Sequence, residues 1–153
     1  MRSLLTTTVL VVSIALAALS WAADSPVGTW SRQPSTDDKG FPQMTMTIET
    51  WRSDGAKLTY HMIGGTMTMT ISSALDGSDA PIVVDGKPSG QTMSIRSVDD
   101  LHATSVQKVG GKTVGTSRVT FSPDFTRLTI ENDYMAPGPG RGPGKSTEVW
   151  LRK

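Results

Sequence analysis

Residues 44–48 read Met-Thr-Met-Thr-Ile, and residues 67–71 repeat the same five residues. In both copies an apolar side chain alternates with a threonine, which is the pattern of a β-strand with one buried face. Threonine is β-branched and favours a pleated surface, whereas the unbranched methionine adapts to irregular neighbours. The two copies therefore predict two strands of one sheet, with methionines on the inner face and threonines towards solvent.

Short alternating segments separated by turn signals fill the rest of the chain after residue 26. Glycine-containing pairs at 54–55, 64–65, 76–77, 85–86 and 110–111 are typical of tight turns. The pattern predicts an all-β domain of strands without a helix. The predicted strands are 27–30, 44–51, 57–62, 66–75, 82–84, 92–98, 102–109, 112–121, 127–133 and 146–152.

The connections between these strands are short, so successive strands are expected to pair antiparallel. A meander of about 8–10 twisted strands closes into a single up-and-down β-barrel, which removes the exposed sheet edges. A two-sheet sandwich is the alternative, but it needs longer crossovers than this chain contains.

The first 22 residues have the composition of a secretory signal peptide. Arg2 gives a charged start, an apolar run follows over 4–19, and Ser-Trp-Ala at 20–22 is a small-x-small cleavage signal. We therefore expect a cleaved signal peptide over 1–22, a barrel domain over 23–153, and a secreted or periplasmic location. An N-terminal membrane anchor is the alternative, but threonines interrupt the short run, so no stable membrane insertion is expected after cleavage.

Composition excludes several classes of partner and site. The chain has 15 basic and 14 acidic residues among 153 and no cysteine. Without Arg2 the charges balance, which disfavours nucleic acid and anionic membranes as partners. The absence of cysteine excludes disulfides, thiolate metal ligands and a thiol nucleophile. We expect a monomer that needs no cofactor.

Several short motifs follow one another along the chain. Gly-Thr-Trp at 28–30 opens the domain, Ile-Glu follows at 48–49, Val-Asp-Asp at 98–100 and Ser-Pro-Asp at 122–124, and Val-Trp-Leu-Arg-Lys closes the chain. In the order of these motifs the sequence resembles the calycins, the superfamily of lipocalins and fatty-acid-binding proteins, and it most resembles the small secreted bacterial lipocalin-like proteins. The resemblance implies an antiparallel barrel with a tryptophan packed across one end and an interior able to hold a small apolar ligand.

The last strand departs from one branch of this superfamily. Intracellular fatty-acid-binding proteins carry Arg-x-Tyr there, which grips a ligand carboxylate, whereas the corresponding positions here are Glu148 and Trp150. The two-helix lid of that branch is also missing, because the segment 31–43 is too short and contains proline.

The inner faces of the predicted strands differ in side-chain size. Bulky residues occur on one wall, whereas Ala103, Ser105, Gln107, Gly115 and Ser117 are small or polar. Large flexible side chains facing small ones would leave a void, and an apolar void with a few polar groups is typical of a ligand site. The predicted ligand-binding residues are Met46, Ile48, Tyr60, Met67, Met69, Met93, Ile95, Gln107, Ser117 and Trp150.

The expected function is therefore non-catalytic binding of a small hydrophobic or amphipathic molecule. One alternative is a structural or interaction protein of the cell envelope whose barrel is filled by its own side chains. A second is a Cu(I) carrier, since methionines and nearby His61 are soft or imidazole ligands, although His61 has the parity of the outer face. No metal ligand is assigned.

A barrel enzyme, such as an isomerase or cyclase acting on a hydrophobic substrate, is the last alternative. The chain has two histidines and no Gly-x-Ser-x-Gly motif, so no catalytic residue is assigned. Arg96 and Arg118 would anchor a ligand carboxylate only if they pointed inward, and midstrand arginines more often face solvent. The Pro-Gly segment 136–144 is either a flap over one barrel mouth or a tolerated insertion.

Overall fold

A computed structural model describes residues 24–34, 43–62, 67–136 and 142–153. The predicted signal peptide, residues 1–22, lies outside these ranges. Within them no helix is long and apolar enough to cross a membrane. The described chain forms ten strands: β1 (Gly28–Arg32), β2 (Met44–Thr50), β3 (Ala56–Met62), β4 (Thr68–Ser73), β5 (Asp76–Val84), β6 (Lys87–Ser97), β7 (His102–Val109), β8 (Lys112–Phe121), β9 (Arg127–Tyr134) and β10 (Gly144–Arg152).

The ten strands form one closed, antiparallel up-and-down barrel. Each strand pairs with its neighbours in sequence, and β1 closes the barrel by pairing with β2 on one side and β10 on the other. Trp30 shows both pairings, since it lies opposite Met46 on β2 and Arg152 on β10. This confirms the predicted fold. Consecutive strands joined by short connections can pair only antiparallel, which explains the topology.

One predicted turn is wrong. Asp76 and Gly77 were expected to form a turn before a short strand over 82–84, but both belong to β5, which begins at Asp76. The chain reverses one step earlier, where Leu75 adopts a positive φ of 63°. The polar start of β5 bulges against β6 between Asp76 and Asp79, so an Asp-Gly pair serves a bulge here rather than a hairpin.

Side chains alternate between the barrel interior and its outer surface, as the methionine–threonine repeats predicted. Met46 and Ile48 are buried, and Glu49 on the opposite face is exposed and bonded to Lys57 (2.7 Å). In the second copy the strand begins at Thr68, so Met67 lies just before β4. The apolar core therefore lies in the interior of the barrel, and not between two stacked sheets as in a sandwich.

One end of the barrel is closed by aromatic side chains. Trp30 is fully buried and its indole N–H donates to the carbonyl of Pro26 (3.0 Å). Its ring lies 5.9 Å from that of Phe121, and the guanidinium of Arg152 stacks over it at 5.8 Å. This is the tryptophan that the calycin resemblance placed across one barrel end.

Candidate functional site

The barrel encloses a cavity of about 550 Å³. Ligand pockets in proteins span about 300–1,000 Å³. Met67 and Ser89 line it and are exposed, so among the described residues the cavity reaches solvent at the end opposite Trp30. The cavity is large enough for a small organic molecule and open enough to admit one.

The floor of the cavity is aromatic and aliphatic. Trp51, directly after β2, meets Phe121 edge to face at 5.2 Å, and Ile48 and Leu128 complete the surface. The indole nitrogen of Trp51 is buried and has no hydrogen-bond partner among the described residues. Trp30 packs against Phe121 from outside the cavity lining.

One wall of the cavity consists of methionines. The cross-strand register explains it: Met44 lies opposite Met62, and Tyr60 lies opposite both Met46 on β2 and Met69 on β4. Thioether side chains are flexible and polarisable, so this wall can adapt to ligands of different shape. The methionines that line the cavity are Met44, Met46, Met62, Met67, Met69 and Met93.

The other wall, from β6 through β10, combines apolar side chains with hydrogen-bonded polar ones and is here named the polar wall. Gln107 donates to Gln91 (2.8 Å) close to the mouth. Deeper in the barrel, the Ser117 hydroxyl donates to the Asn132 carbonyl oxygen (2.7 Å). The small side chain of Ser105 leaves space in this wall, whereas the ring of Tyr134 fills the space beside Gly115.

The polar wall ends at a carboxylate that the sequence prediction missed, Glu148 on β10. Its side chain is 15% exposed and accepts hydrogen bonds from Asn132 (3.2 Å) and from the Trp150 indole (3.1 Å). Arg32 on β1 lies 3.7 Å from the same carboxylate. The position of Glu148 could have been predicted from that of Trp150, because residues 148 and 150 face the same side of β10.

Tyr60 on β3 lies beside the β10 end of the polar wall. Its ring packs edge to face against that of Trp150 at 6.0 Å. Burial, and then the negative charges of Glu148 and Tyr134, raise the pKa of Tyr60 above its usual value of 10.0. The phenol therefore remains neutral at ordinary pH and can donate a hydrogen bond.

All ten residues that the sequence analysis assigned to ligand binding line the cavity. Arg96 and Arg118 are exposed on the outer face, which leaves neither in position to anchor a ligand inside. His61 is also exposed, with Nδ1 3.4 Å from the Thr68 hydroxyl. The lining residues that the assignment left out include apolar positions as well as the polar or aromatic residues Trp51, Gln91, Asn132, Tyr134 and Glu148.

Exposed carboxylates form a separate group at the strand ends. Asp99 accepts hydrogen bonds from the backbone N–H groups of Leu101 and His102 (both 2.8 Å), and from the His102 ring (2.8 Å). These bonds, with that from Leu101 first, hold the pKa of Asp99 below its usual value. Such carboxylates stabilise turns, and Asp99 lies outside the cavity.

Among the described residues, no cluster of histidine, aspartate or glutamate has the arrangement of a metal site. The methionine wall is a source of soft thioether ligands, which differ from these oxygen and nitrogen ligands.

Comparison with known proteins finds matches among solved structures only. No protein-family model matches the sequence, and no curated protein matches it in sequence. Among solved structures, a point mutant of the fluorescent protein UnaG superposes with a TM-score of 0.59 at 14% identity, over 83% of this chain and 95% of that one. Wild-type UnaG gives 0.57 at the same identity, over 83% and 96%. The chain therefore shares its barrel fold with UnaG. At this identity the likeness concerns the fold alone.

Proposed function

We propose that this protein is a non-catalytic binding protein that carries a small hydrophobic or amphipathic molecule inside its barrel. The observation that carries the proposal is the cavity of about 550 Å³ between a methionine wall and a polar wall. A mostly apolar, concave and solvent-accessible site with a few placed polar groups is what small-molecule binding requires.

The ten assigned residues divide the work of binding. Met46, Met67 and the other methionines supply deformable apolar contact, which makes the site permissive for ligand shape. Gln107 and Ser117 belong to the polar wall and would orient one end of the ligand. We further propose that the protein is secreted or periplasmic, supported by the signal-peptide composition of residues 1–22, and acts as a monomer.

Native mass spectrometry of the protein purified from its own host tests this function. A co-purifying mass in the lipid range, lost on denaturation, is expected. Bare protein that also fails to enhance the fluorescence of the neutral, polarity-sensitive dye Nile red would contradict it, and would favour an envelope protein with an unused interior.

Cu(I) carriage is a second candidate, favoured by the thioethers at the mouth. Met44 lies opposite Met62, whose backbone N–H donates to the carbonyl of Met67 (3.4 Å), so three methionines occupy adjacent positions. Directly opposite residues have Cβ atoms about 4.5–5.5 Å apart, and thioethers select Cu(I).

Competition with a chromogenic Cu(I) chelator tests the copper candidate. A carrier retains Cu(I) as wild type and loses it in the Met62→Leu, Met67→Leu double variant, because leucine keeps the volume and removes the sulfur. Met93→Leu, on β6, is the matched control and should retain the ion. Wild-type protein that yields all its Cu(I) to the chelator excludes this candidate.

A further inference from the structure

The polar end of the ligand can be inferred from Glu148. It is the one carboxylate among the described residues that line the cavity. None of the lining residues is basic, since Arg96 and Arg118 face outward. The charge that a ligand meets inside the barrel is therefore negative.

Arg32 does not reverse this charge. Its guanidinium Nε lies 3.7 Å from Glu148, and its side chain is only 9% exposed and lies outside the cavity lining. A ligand carboxylate would have to compete with Glu148 for this ion pair. Breaking a buried pair leaves an uncompensated charge, which is costly.

The hydrogen bonds of the polar wall are directed towards the carboxylate. Ser117 donates to Asn132, and Asn132 in turn donates to Oε1 of Glu148. Each carboxylate oxygen offers two lone pairs, so after these bonds Oε1 keeps one for a further donor. The Ser117 oxygen likewise keeps its capacity to accept.

The pKa of Tyr60 shows how the cavity affects the stability of an anion placed near Glu148. Burial and the negative charge of Glu148 raise the pKa of Tyr60, so the phenolate is disfavoured inside the cavity. The same burial and the same carboxylate act on any anionic group that a ligand brings to this depth.

We propose that the ligand carries a hydrogen-bond donor, an alcohol, amide or amine, which binds at Glu148, and that free carboxylates are excluded. This inference rests on the proposed binding function and defines its ligand class. A barrel with an inward arginine would prefer a ligand that carries a carboxylate. The preference proposed here is the opposite.

Displacement of Nile red by dodecanol, dodecylamine and dodecanoate tests the proposal, because the three share one chain and differ only in the polar end. At mildly alkaline pH, where the acid is ionised, we expect the alcohol and the amine to displace the dye at concentrations about ten-fold or more below dodecanoate, as one unit of like-charge perturbation implies. Equal or stronger displacement by dodecanoate overturns the proposal while leaving ligand binding intact. No dye binding at all overturns both.

Variants that remove a negative charge test the role of Glu148 separately. Glu148→Gln keeps the size and one acceptor, and should reduce the alcohol-to-acid preference by about ten-fold by removing the like charge. Glu131→Gln, on the exposed face of β9, is the matched control and should leave the preference unchanged. An unchanged preference in folded Glu148→Gln overturns the assignment of Glu148. Should that variant fail to fold, the wild-type ligand series still decides the proposal.

Discussion

Replacing Ser105 by phenylalanine would show whether the barrel interior is truly open. Ser105 lines the cavity on β7, between Ile95 on β6 and Ser117 on β8. A cavity of about 150 Å³ accommodates a benzene ring, so the new side chain would occupy roughly a quarter of the 550 Å³ available.

The sign of the stability change separates an open cavity from a filled one. A phenylalanine side chain buried in existing space contributes about 1.5–3 kcal/mol, so the free energy of unfolding should rise or stay level after the loss of the serine hydroxyl. In a barrel filled by its own side chains the same ring overpacks the core and costs about 1–3 kcal/mol.

Urea unfolding and Nile red titration measure the two consequences together. Thr104→Phe is the matched control, since Thr104 adjoins Ser105 on β7 and is exposed on the outer face. Its free energy of unfolding should change by less than about 0.5 kcal/mol. Dye affinity should fall in Ser105→Phe and stay the same in Thr104→Phe.

Two results would refute this reasoning. A loss of 1–3 kcal/mol in Ser105→Phe alone would show that no space exists at that position. Equal dye binding by both variants would show that the dye binds outside the barrel. Either result would remove the observation on which the proposed function depends.

Three further outcomes follow from individual side chains. Because burial raises the pKa of Tyr60, its stabilising contribution is complete below pH 10 and is lost as pH rises further, so alkaline unfolding should start later in Tyr60→Phe. Arg152 donates to the carbonyls of Ser25 (2.8 Å) and Val27, so Arg152→Ala should cost about 2 kcal/mol in urea unfolding. Asp99 has a lowered pKa, so its contribution is present above pH 3.8 and lost as pH falls below it, and Asp99→Asn should flatten the acid limb of a thermal-melting profile.

Arg152→Ala has a matched control, and each of the three predictions has an outcome that would contradict it. Arg127→Ala, exposed at the start of β9, should change stability by less than about 0.5 kcal/mol, and a loss equal to that of Arg152→Ala would contradict the structural role of Arg152. An unchanged alkaline limb in Tyr60→Phe would show that other groups titrate first. Unchanged acid sensitivity in Asp99→Asn would assign the acid limb to other carboxylates.

The alternation of apolar and polar residues made the barrel predictable. The wrong prediction concerned a single turn. Alternation at 44–48 and 67–71 placed methionines inside because a side-chain period of two leaves no other choice once one face is buried. The Asp-Gly pair at 76–77 misled because a turn and a bulge both accept a glycine with positive φ, and the choice depends on the partner strand. The segment 136–144 is described only in part, so its predicted role as a flap stays a prediction.

The sequence alone determined which side chains share a face, because strand parity is a property of consecutive residues. It thereby specified the methionine wall and implied that Glu148 faces inward with Trp150. Only the tertiary structure decided what those faces enclose, since the space left in a closed barrel depends on strand number, register and the residues that meet across it. The pairing of Glu148 with Asn132, Trp150 and Arg32 likewise joins three strands, and no local pattern specifies such a contact.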